Sequence, residues 1–355
     1  MRYYQLDTLR YFFAAIVVIG HSSGWIGVVP AGALAVDFFF ILSGFVLTYA
    51  TSKSASNNYV KFIVSRFSRL FPLYLATLVF MLSVGLIDAQ VEASHLEVWV
   101  NIFLLQNVIP IGNLGYNWPA WSVSVELWMN IGILFWVIRY RLIKTALLLI
   151  VLGYTALWMK DLTDHAHVQE VYFVTAGLLR CISGVLAGFV VFHVYQHIKQ
   201  NTKLVDNVSR GLSTVLELAT LCLIFTCLFI GGYRATIIAL IIMPVFILVF
   251  SFGKGALSDF FSNKHINKLG NLTYGIYLIH IPALLLLRSK GVIPGADTET
   301  PVWIGLLVLL GCTLVSIPTY YYFEVPCKNF IMGKFKSIYS RSKRYSFKFS
   351  HFLPR

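Results

Sequence analysis

Charge is scarce in this chain. Asp, Glu, Lys and Arg make up 12% of its 355 residues, against 58% hydrophobic residues. A soluble domain carries roughly 25% charged residues, so too few remain to cover a water-facing surface, and a mean hydropathy of +0.75 hands much of that surface to lipid. Cysteine is also sparse. Cys181, Cys222, Cys227, Cys312 and Cys327 form no metal-spaced pair, and four of them lie inside apolar runs, which argues against a zinc site or a disulfide framework. No internal repeat is evident, and this lowers the weight of folds built from inverted halves. Acidic residues are outnumbered, leaving a net charge of +13. In a soluble chain that excess would suggest nucleic acid. Here it sits in short segments between apolar runs and in the C-terminal tail, a pattern of membrane topology and contact with anionic lipid.

What is present is a series of apolar runs. A helix needs about 20 apolar residues to cross the bilayer. The spacing predicts an all-α polytopic membrane protein with about ten transmembrane helices, at 6–24, 32–51, 70–87, 119–138, 145–159, 171–192, 212–230, 235–252, 269–287 and 302–322. The fifth is short. Residues 96–109 are apolar but too interrupted to span, and read as a half-inserted or surface helix. Arg2, Arg10 and the apolar stretch after them resemble a signal peptide, but the supposed cleavage site, Ala33-Leu34-Ala35, lies some way past the apolar core and just inside the next run. A retained first helix is the simpler reading. With both termini in the cytoplasm, most of the 28 Lys and Arg residues fall on the cytoplasmic side, as the positive-inside rule requires. The chain then divides into a transmembrane unit, 1–326, and a basic cytoplasmic tail, 327–355. The tail reads either as lying on the inner leaflet or as disordered.

Ionisable groups within spans are costly and mark function. Arg10 and His21 stand eleven helical steps apart on the first span, on the same face and roughly 16 Å apart along the axis. Asp37 lies in the outer third of the second span and needs a partner; His21 is at a similar depth, and a carboxylate beside a His fixes its tautomer. Glu126, on the fourth span, also maps to the outer half, with His21 or His280 in reach. Arg10, Arg66 and Arg69 lie at inner helix ends, Arg180 is mid-membrane, and Glu324 ends the last span. The expected result is an axis that is basic inside and His/carboxylate outside. Arginines suit phosphate groups. A His beside a carboxylate suits proton removal from a hydroxyl or nucleophilic attack. Residues alone lead to an anionic cytosolic donor meeting a hydroxyl from outside, and no further.

Six stretches in order resemble a known family. They are Leu6-Asp7-Thr8-Leu9-Arg10 with His21 following, Val36-Asp37-Phe38-Phe39-Phe40-Ile41-Leu42-Ser43-Gly44-Phe45, and Arg66-Phe67-Ser68-Arg69-Leu70-Phe71-Pro72-Leu73-Tyr74. Then come Trp121-Ser122-Val123-Ser124-Val125-Glu126, the run from Leu269 through His280 to Pro282, and Phe323-Glu324-Val325-Pro326. Together they resemble the acyltransferase family 3 of bacterial membrane proteins. The resemblance implies a ten-helix fold in the cytoplasmic (inner) membrane that takes an acyl group, usually acetyl, from cytosolic acyl-CoA as co-substrate. The group passes to a hydroxyl of an envelope or exported saccharide, which includes lipid-linked saccharides. It further implies that Arg10 and His21 are essential, and that Arg66 and Arg69 help bind the donor. Two departures stand out: Leu127 follows Glu126 where the family often has a second acid, and Val325 stands where a basic residue is common.

The combined expectation is an O-acyltransferase with His21, Arg10, Asp37 and Glu126 as catalytic residues and Arg66, Arg69 and Arg180 on the donor. His21 acts either as base or as transient acyl carrier. Membrane lipid is a partner; neither a metal nor nucleic acid is expected. The competing reading is a proton-coupled transporter of an acidic metabolite or glycolipid, and a third is a non-catalytic partner in envelope polysaccharide synthesis.

Overall fold

The computed structural model describes residues 2–22, 32–53, 58–85, 95–109, 116–160, 170–171, 174–295 and 300–350. The described chain is helical apart from a two-stranded hairpin, β1 (Glu170–Val171) with β2 (Val174–Thr175). In chain order the first helices are α1 (Tyr4–Ser22), α2 (Leu34–Ser52), α3 (Tyr59–Val84) and the short α4 (His95–Ile102). A single 3-10 turn, Trp118–Ala120, leads into α5 (Trp121–Met129), a π-turn (Asn130–Leu134) and α6 (Phe135–Tyr140), which together form one rod. There follow α7 (Ile143–Met159), α8 (Ala176–Gln200), α9 (Thr202–Asn207), α10 (Arg210–Ile230), α11 (Gly232–Phe252) and α12 (Ala256–Phe261). Last come α13 (Thr273–Ser289), α14 (Val302–Thr319) and α15 (Val325–Ser350).

Among the described residues, seven helices are long and apolar enough to cross a membrane: α2, α3, the 118–140 rod, α8, α10, α11 and the rod beginning at Val302. Two more, α7 and α13, are apolar but shorter. The described part of each run expected from hydropathy falls mainly on a helix; 23–24, 86–87 and 172–173 lie outside the described residues, and the sixth run begins in the β1–β2 pair, with its helix starting only at Ala176. Exposed faces are apolar: Leu148, Val151 and Leu152 on α7, Ile238 and Ile241 on α11, and Leu307, Leu310 and Leu314 on α14. Such continuous apolar exposure requires lipid. Residues 96–109 hold only the eight-residue α4, in keeping with a segment too short to span. The expected boundary at 326 falls just inside α15, which continues α14 through a π-turn, Tyr320–Glu324.

Helix ends are set by local chemistry. Asn58, Thr175 and Ser209 accept hydrogen bonds from the first-turn amides of α3, α8 and α10. Glu217, buried on α10, accepts from the amides of Gly255, Leu257 and Ser258 and from the Ser258 hydroxyl at 2.5–3.1 Å. It thereby holds the N-terminus of α12 against α10, where the helix dipole favours a carboxylate. Sequence reading passed over this residue.

The ends of the helices gather consistently. Tyr3 stacks edge-on against Tyr49 at the end of α2 and Tyr195 near the end of α8. Arg2 bonds Asn271 at 2.6 Å, Thr8 bonds the Phe261 carbonyl at 2.6 Å, and Asn58 bonds Tyr339 at 2.8 Å. At the far end, Thr300 bonds the Ser22 carbonyl at 2.9 Å and Arg288 reaches the His21 carbonyl at 3.5 Å. The first face collects Arg2, Lys53, Lys61, Lys199, Arg210 and Lys254, the Lys/Arg-rich segments of the sequence.

The closest packing joins α2 to α8. A Cβ on Gly188 would fall on the Ile41 carbonyl, one on Gly44 on the Val185 carbonyl, and one on Gly184 2.8 Å from the Phe40 Cβ. The small-residue spacing of 184–188 therefore serves contact within the chain. Gly188→Val is expected to cost more than about 2 kcal/mol, in the upper part of the range for overpacking. Gly311→Ala on α14, where a Cβ meets open space, is expected to leave stability unchanged. Thermal unfolding in detergent compares the two, and equal melting temperatures would remove the clamp from the account.

Candidate active site

Arg10, Arg66, Arg69 and Glu126 come together around one cavity. Its volume is about 580 Å³, within the range of small-molecule sites. It enters beside exposed Arg2, Ala50 and Lys328, and ends at buried Ser122, Val123 and Tyr277. Five cationic side chains line it, namely Arg2, Arg10, Arg66, Arg69 and Lys328, against three acids, Asp7, Glu126 and Glu324. Asp7 is already engaged, at 2.6 Å from Arg2 and 3.8 Å from Arg10. The Nε of Arg66 is buried without a partner, as is Oε1 of Glu324. A buried, unpaired guanidinium nitrogen is costly, and suits an anionic ligand.

Backbone irregularities adjoin the other two acids, Glu126 and Glu324. The π-turn Asn130–Leu134 follows Glu126 by one turn, and the π-turn Tyr320–Glu324 ends on Glu324. Such turns shift side-chain register and often lie at functional sites. Glu126 accepts from the Ser43 hydroxyl at 2.6 Å, and the Asn130 amide approaches both Ser43 and Glu126 at 3.3 and 3.5 Å. Gly275 makes room for Glu324, since a Cβ there would stand 3.1 Å from its Oε1. The Tyr274 hydroxyl donates to the Leu70 carbonyl, tying α13 to α3 beside the cavity.

His21 lies beyond the buried end. Its Nδ1 is 2.9 Å from Nε2 of fully buried His280, with the rings nearly parallel at 9°. The ring of Trp118 meets His21 edge-on at 4.4 Å. Asn117 fixes that turn by donating to the Leu278 carbonyl at 3.0 Å.

Three expected placements change. Asp37 does not pair with His21. It is fully buried and held by Arg180, whose Nε reaches Oδ1 at 3.2 Å and whose Nη2 bonds Oδ2. Arg180 in turn is 2% exposed and lies off the cavity rather than among the donor-facing arginines. The cause is the α2–α8 clamp: Arg180 shares the helix face of Gly184 and Gly188, four and eight residues on, and so meets the α2 face that carries Asp37. Glu126 bonds neither histidine and belongs with the arginines. Tyr116, Asn117 and Ala120 are themselves buried, so the span starts inside the bundle and Glu126 sits deeper than a count from the first apolar residue suggests. Sequence reading missed Tyr277 and Ser122 as boundary residues and the direct His21–His280 contact. The available signal was the three-residue step from Tyr277 to His280 on one helix face. Among the described residues no group of three His, Cys, Asp or Glu side chains is arranged to hold a metal.

Residues 3–321 match the family profile described as an acyltransferase domain, acyltransferase family 3. The chain belongs to that family. It is 25% identical to the peptidoglycan O-acetyltransferase OatA of Listeria monocytogenes over 94% of this chain and 57% of the relative. OatA of Staphylococcus aureus is 23% identical, over 91% of this chain and 57% of the relative. Protein 2 in the picA locus of Rhizobium radiobacter is 32% identical over 42% of this chain and 90% of the relative. The chain thus spans little more than half the length of the OatA proteins. No solved structure matches it.

Removing one member of the Asp37–Arg180 pair strands a buried charge, which costs about 3–5 kcal/mol. Asp37→Leu and Arg180→Met are each expected to lower the melting temperature and membrane accumulation sharply, and the double variant to recover most of both. A stable Asp37→Leu protein that has lost only activity would instead return Asp37 to the reaction.

Proposed function

We propose that this protein is a multi-pass membrane O-acyltransferase that moves an acetyl group from cytosolic acyl-CoA to a saccharide hydroxyl presented on the outer side of a bacterial inner membrane. The observation that carries the reading is the cationic cavity, entered from the Lys/Arg-rich face and ending at Ser122 and Tyr277, whose ring meets His280 of the His21–His280 pair. Family membership supports acyl transfer, and the OatA relatives, which carry the name of peptidoglycan O-acetyltransferases, support a saccharide acceptor. In this reading the ten helical runs all cross the membrane, and both termini lie in the cytoplasm on the positively charged face.

The donor phosphates bind Arg66 and Arg69, with Arg10 deeper and Arg2 and Lys328 at the mouth. The thioester then points toward Ser122 and Tyr277. A neutral imidazole pair shares one proton across its hydrogen bond. With Nδ1–H of His21 donating to His280, Nε2 of His21 keeps its lone pair. That nitrogen takes the acceptor hydroxyl's proton as the oxygen attacks the thioester carbon; the C–O bond forms, the C–S bond breaks, and the CoA thiolate leaves. In the second route Nε2 attacks the thioester itself and the C–S bond breaks with loss of the CoA thiolate; the acceptor oxygen then attacks the acyl carbon, the C–N bond breaks, and the hydroxyl proton passes to the thiolate or the freed imidazole. Trapping of an acyl-histidine distinguishes the two. His280 is a positioning residue in either case. Glu126, fixed by Ser43, tempers the arginines so that the donor can leave.

Membranes given labelled acetyl-CoA are expected to label an envelope saccharide. Loss of a catalytic base costs about 10²–10⁴-fold, so His21→Ala is expected to reduce labelling at least 100-fold, and full activity in that variant would defeat both routes. Hydrogen bonds to charged groups contribute about 1.5–3 kcal/mol. Arg66→Gln and Arg69→Gln are therefore each expected to raise the KM for acetyl-CoA by about tenfold or more, with little change in kcat; an unchanged KM would remove them from the donor site. Uptake of an intact solute with no acetylated saccharide would favour the transporter.

A further inference from the structure

The cavity and the histidine pair do not join. Neither His21 nor His280 lines the cavity, whose buried end includes Tyr277 and Ser122. The Tyr277 hydroxyl is 2.8 Å from the Ser122 hydroxyl and donates to the Pro119 carbonyl at 2.9 Å. Ser122 also lies 3.2 Å from that carbonyl. These contacts draw α13 against the turn that carries Trp118. On the cavity side the Tyr277 ring meets Phe39 at 6.3 Å, and on the other it meets His280 at 5.8 Å. His280 is three residues further along α13, about 4.5 Å of rise. Trp118, one residue before Pro119, touches His21. One phenol ring and one serine thus stand between the end of the cavity and both imidazoles.

We propose that Tyr277 and Ser122 form the partition the acyl group must cross to reach His21, and that the space this partition leaves sets the length of acyl group transferred. The inference rests on the acyl-CoA reading above. Phe39, Phe40, Val123 and the Tyr277 ring make the cavity's end apolar, so a short alkyl chain is accepted there and a longer one meets the phenol. The Tyr277 hydroxyl keeps the ring in place through Pro119 on the Trp118 turn and Ser122 at the start of α5. A partition of this kind also keeps water on the cytoplasmic side from the thioester's destination, so hydrolysis is suppressed while the cavity is closed.

The test compares acetyl-, butyryl- and hexanoyl-CoA as donors in purified full-length protein, with CoA binding to the unaltered protein measured separately by calorimetry. One methylene in an apolar pocket discriminates by about 10–200-fold. Tyr277→Leu and Tyr277→Ala are expected to raise the butyryl-to-acetyl ratio of kcat/KM at least tenfold, with Ala admitting hexanoyl as well. Tyr277→Phe, which keeps the ring, is expected to shift that ratio by less than threefold. Where a Tyr277 variant does not accumulate in the membrane, Ser122→Gly removes the opposite half of the contact and is read in the same way. A ratio within twofold of the unaltered protein in the Leu and Ala variants overturns the proposal. So does a variant that accumulates normally but transfers no acyl group of any length. Failure of the unaltered protein both to bind CoA and to transfer acetyl overturns the donor reading itself, an outcome distinct from either.

Discussion

An ionised side chain within an apolar bundle has to be neutralised by a neighbour or by a ligand, and this requirement sorts the charges of the protein. Arg180 and Asp37 neutralise each other completely. Glu217 is satisfied by three amides and a hydroxyl at one helix terminus. The cavity is different. Its cations outnumber its acids, and Arg66 keeps a buried nitrogen without a partner. A self-sufficient pair holds helices together, whereas an incomplete set of charges draws in an anion. Burial alone does not distinguish the two cases; the completeness of the hydrogen bonding does.

The same distinction explains where the helices are regular. The α2–α8 contact that carries the complete pair is unbroken, and glycines bring its two backbones as close as their carbonyls allow. Around the cavity the helices carry π-turns, and the polar side chains there come from α1 and the residues just before it, α2, α3, the 118–140 rod, α13 and the turn before it, the π-turn Tyr320–Glu324 and α15. Rigid packing on one flank leaves the other free to adopt a less regular backbone at little risk to the fold. Apolar burial and the clamp stabilise the bundle; the cavity's local departures are local costs.

Much of this was legible in the sequence, for identifiable reasons. The helical runs were, because lipid demands about twenty apolar residues for each crossing. Arg10, Arg66 and Arg69 were, because arginines at helix ends project toward the same wet region. Asp37 and Glu126 were not placed well. Depth and side can be counted along one helix, but which neighbour a side chain meets depends on packing between helices. The spacing of Arg180, Gly184 and Gly188 held the answer for Asp37 only once α8's partner was known. For Glu126 the error was in the origin of the count, since the turn at Trp118–Ala120 is already buried. Tyr277 escaped notice because an aromatic residue on an apolar helix face reads as core.

That last residue bears on how the proposed transfer joins two aqueous sides. In the proposed reaction, a thioester held by cytosolic charges and a hydroxyl arriving from the other surface must meet at a point that is open to both in turn and to neither permanently. A continuous channel from Arg2 to His21 would leak water and protons across the bundle. In that reaction Arg10 and His21, on one face of α1, are better separated than joined: the helix fixes their distance and orientation, and α13 with the 118–140 rod places Tyr277 and Ser122 at the end of the cavity, before the histidine pair. The small barrier is cheap to move, because its hydrogen bonds are neutral and can be exchanged for contacts to an incoming carbonyl. An ion pair in that position would resist opening far more strongly, and the protein places its one complete ion pair of this kind among the described residues elsewhere, between α2 and α8.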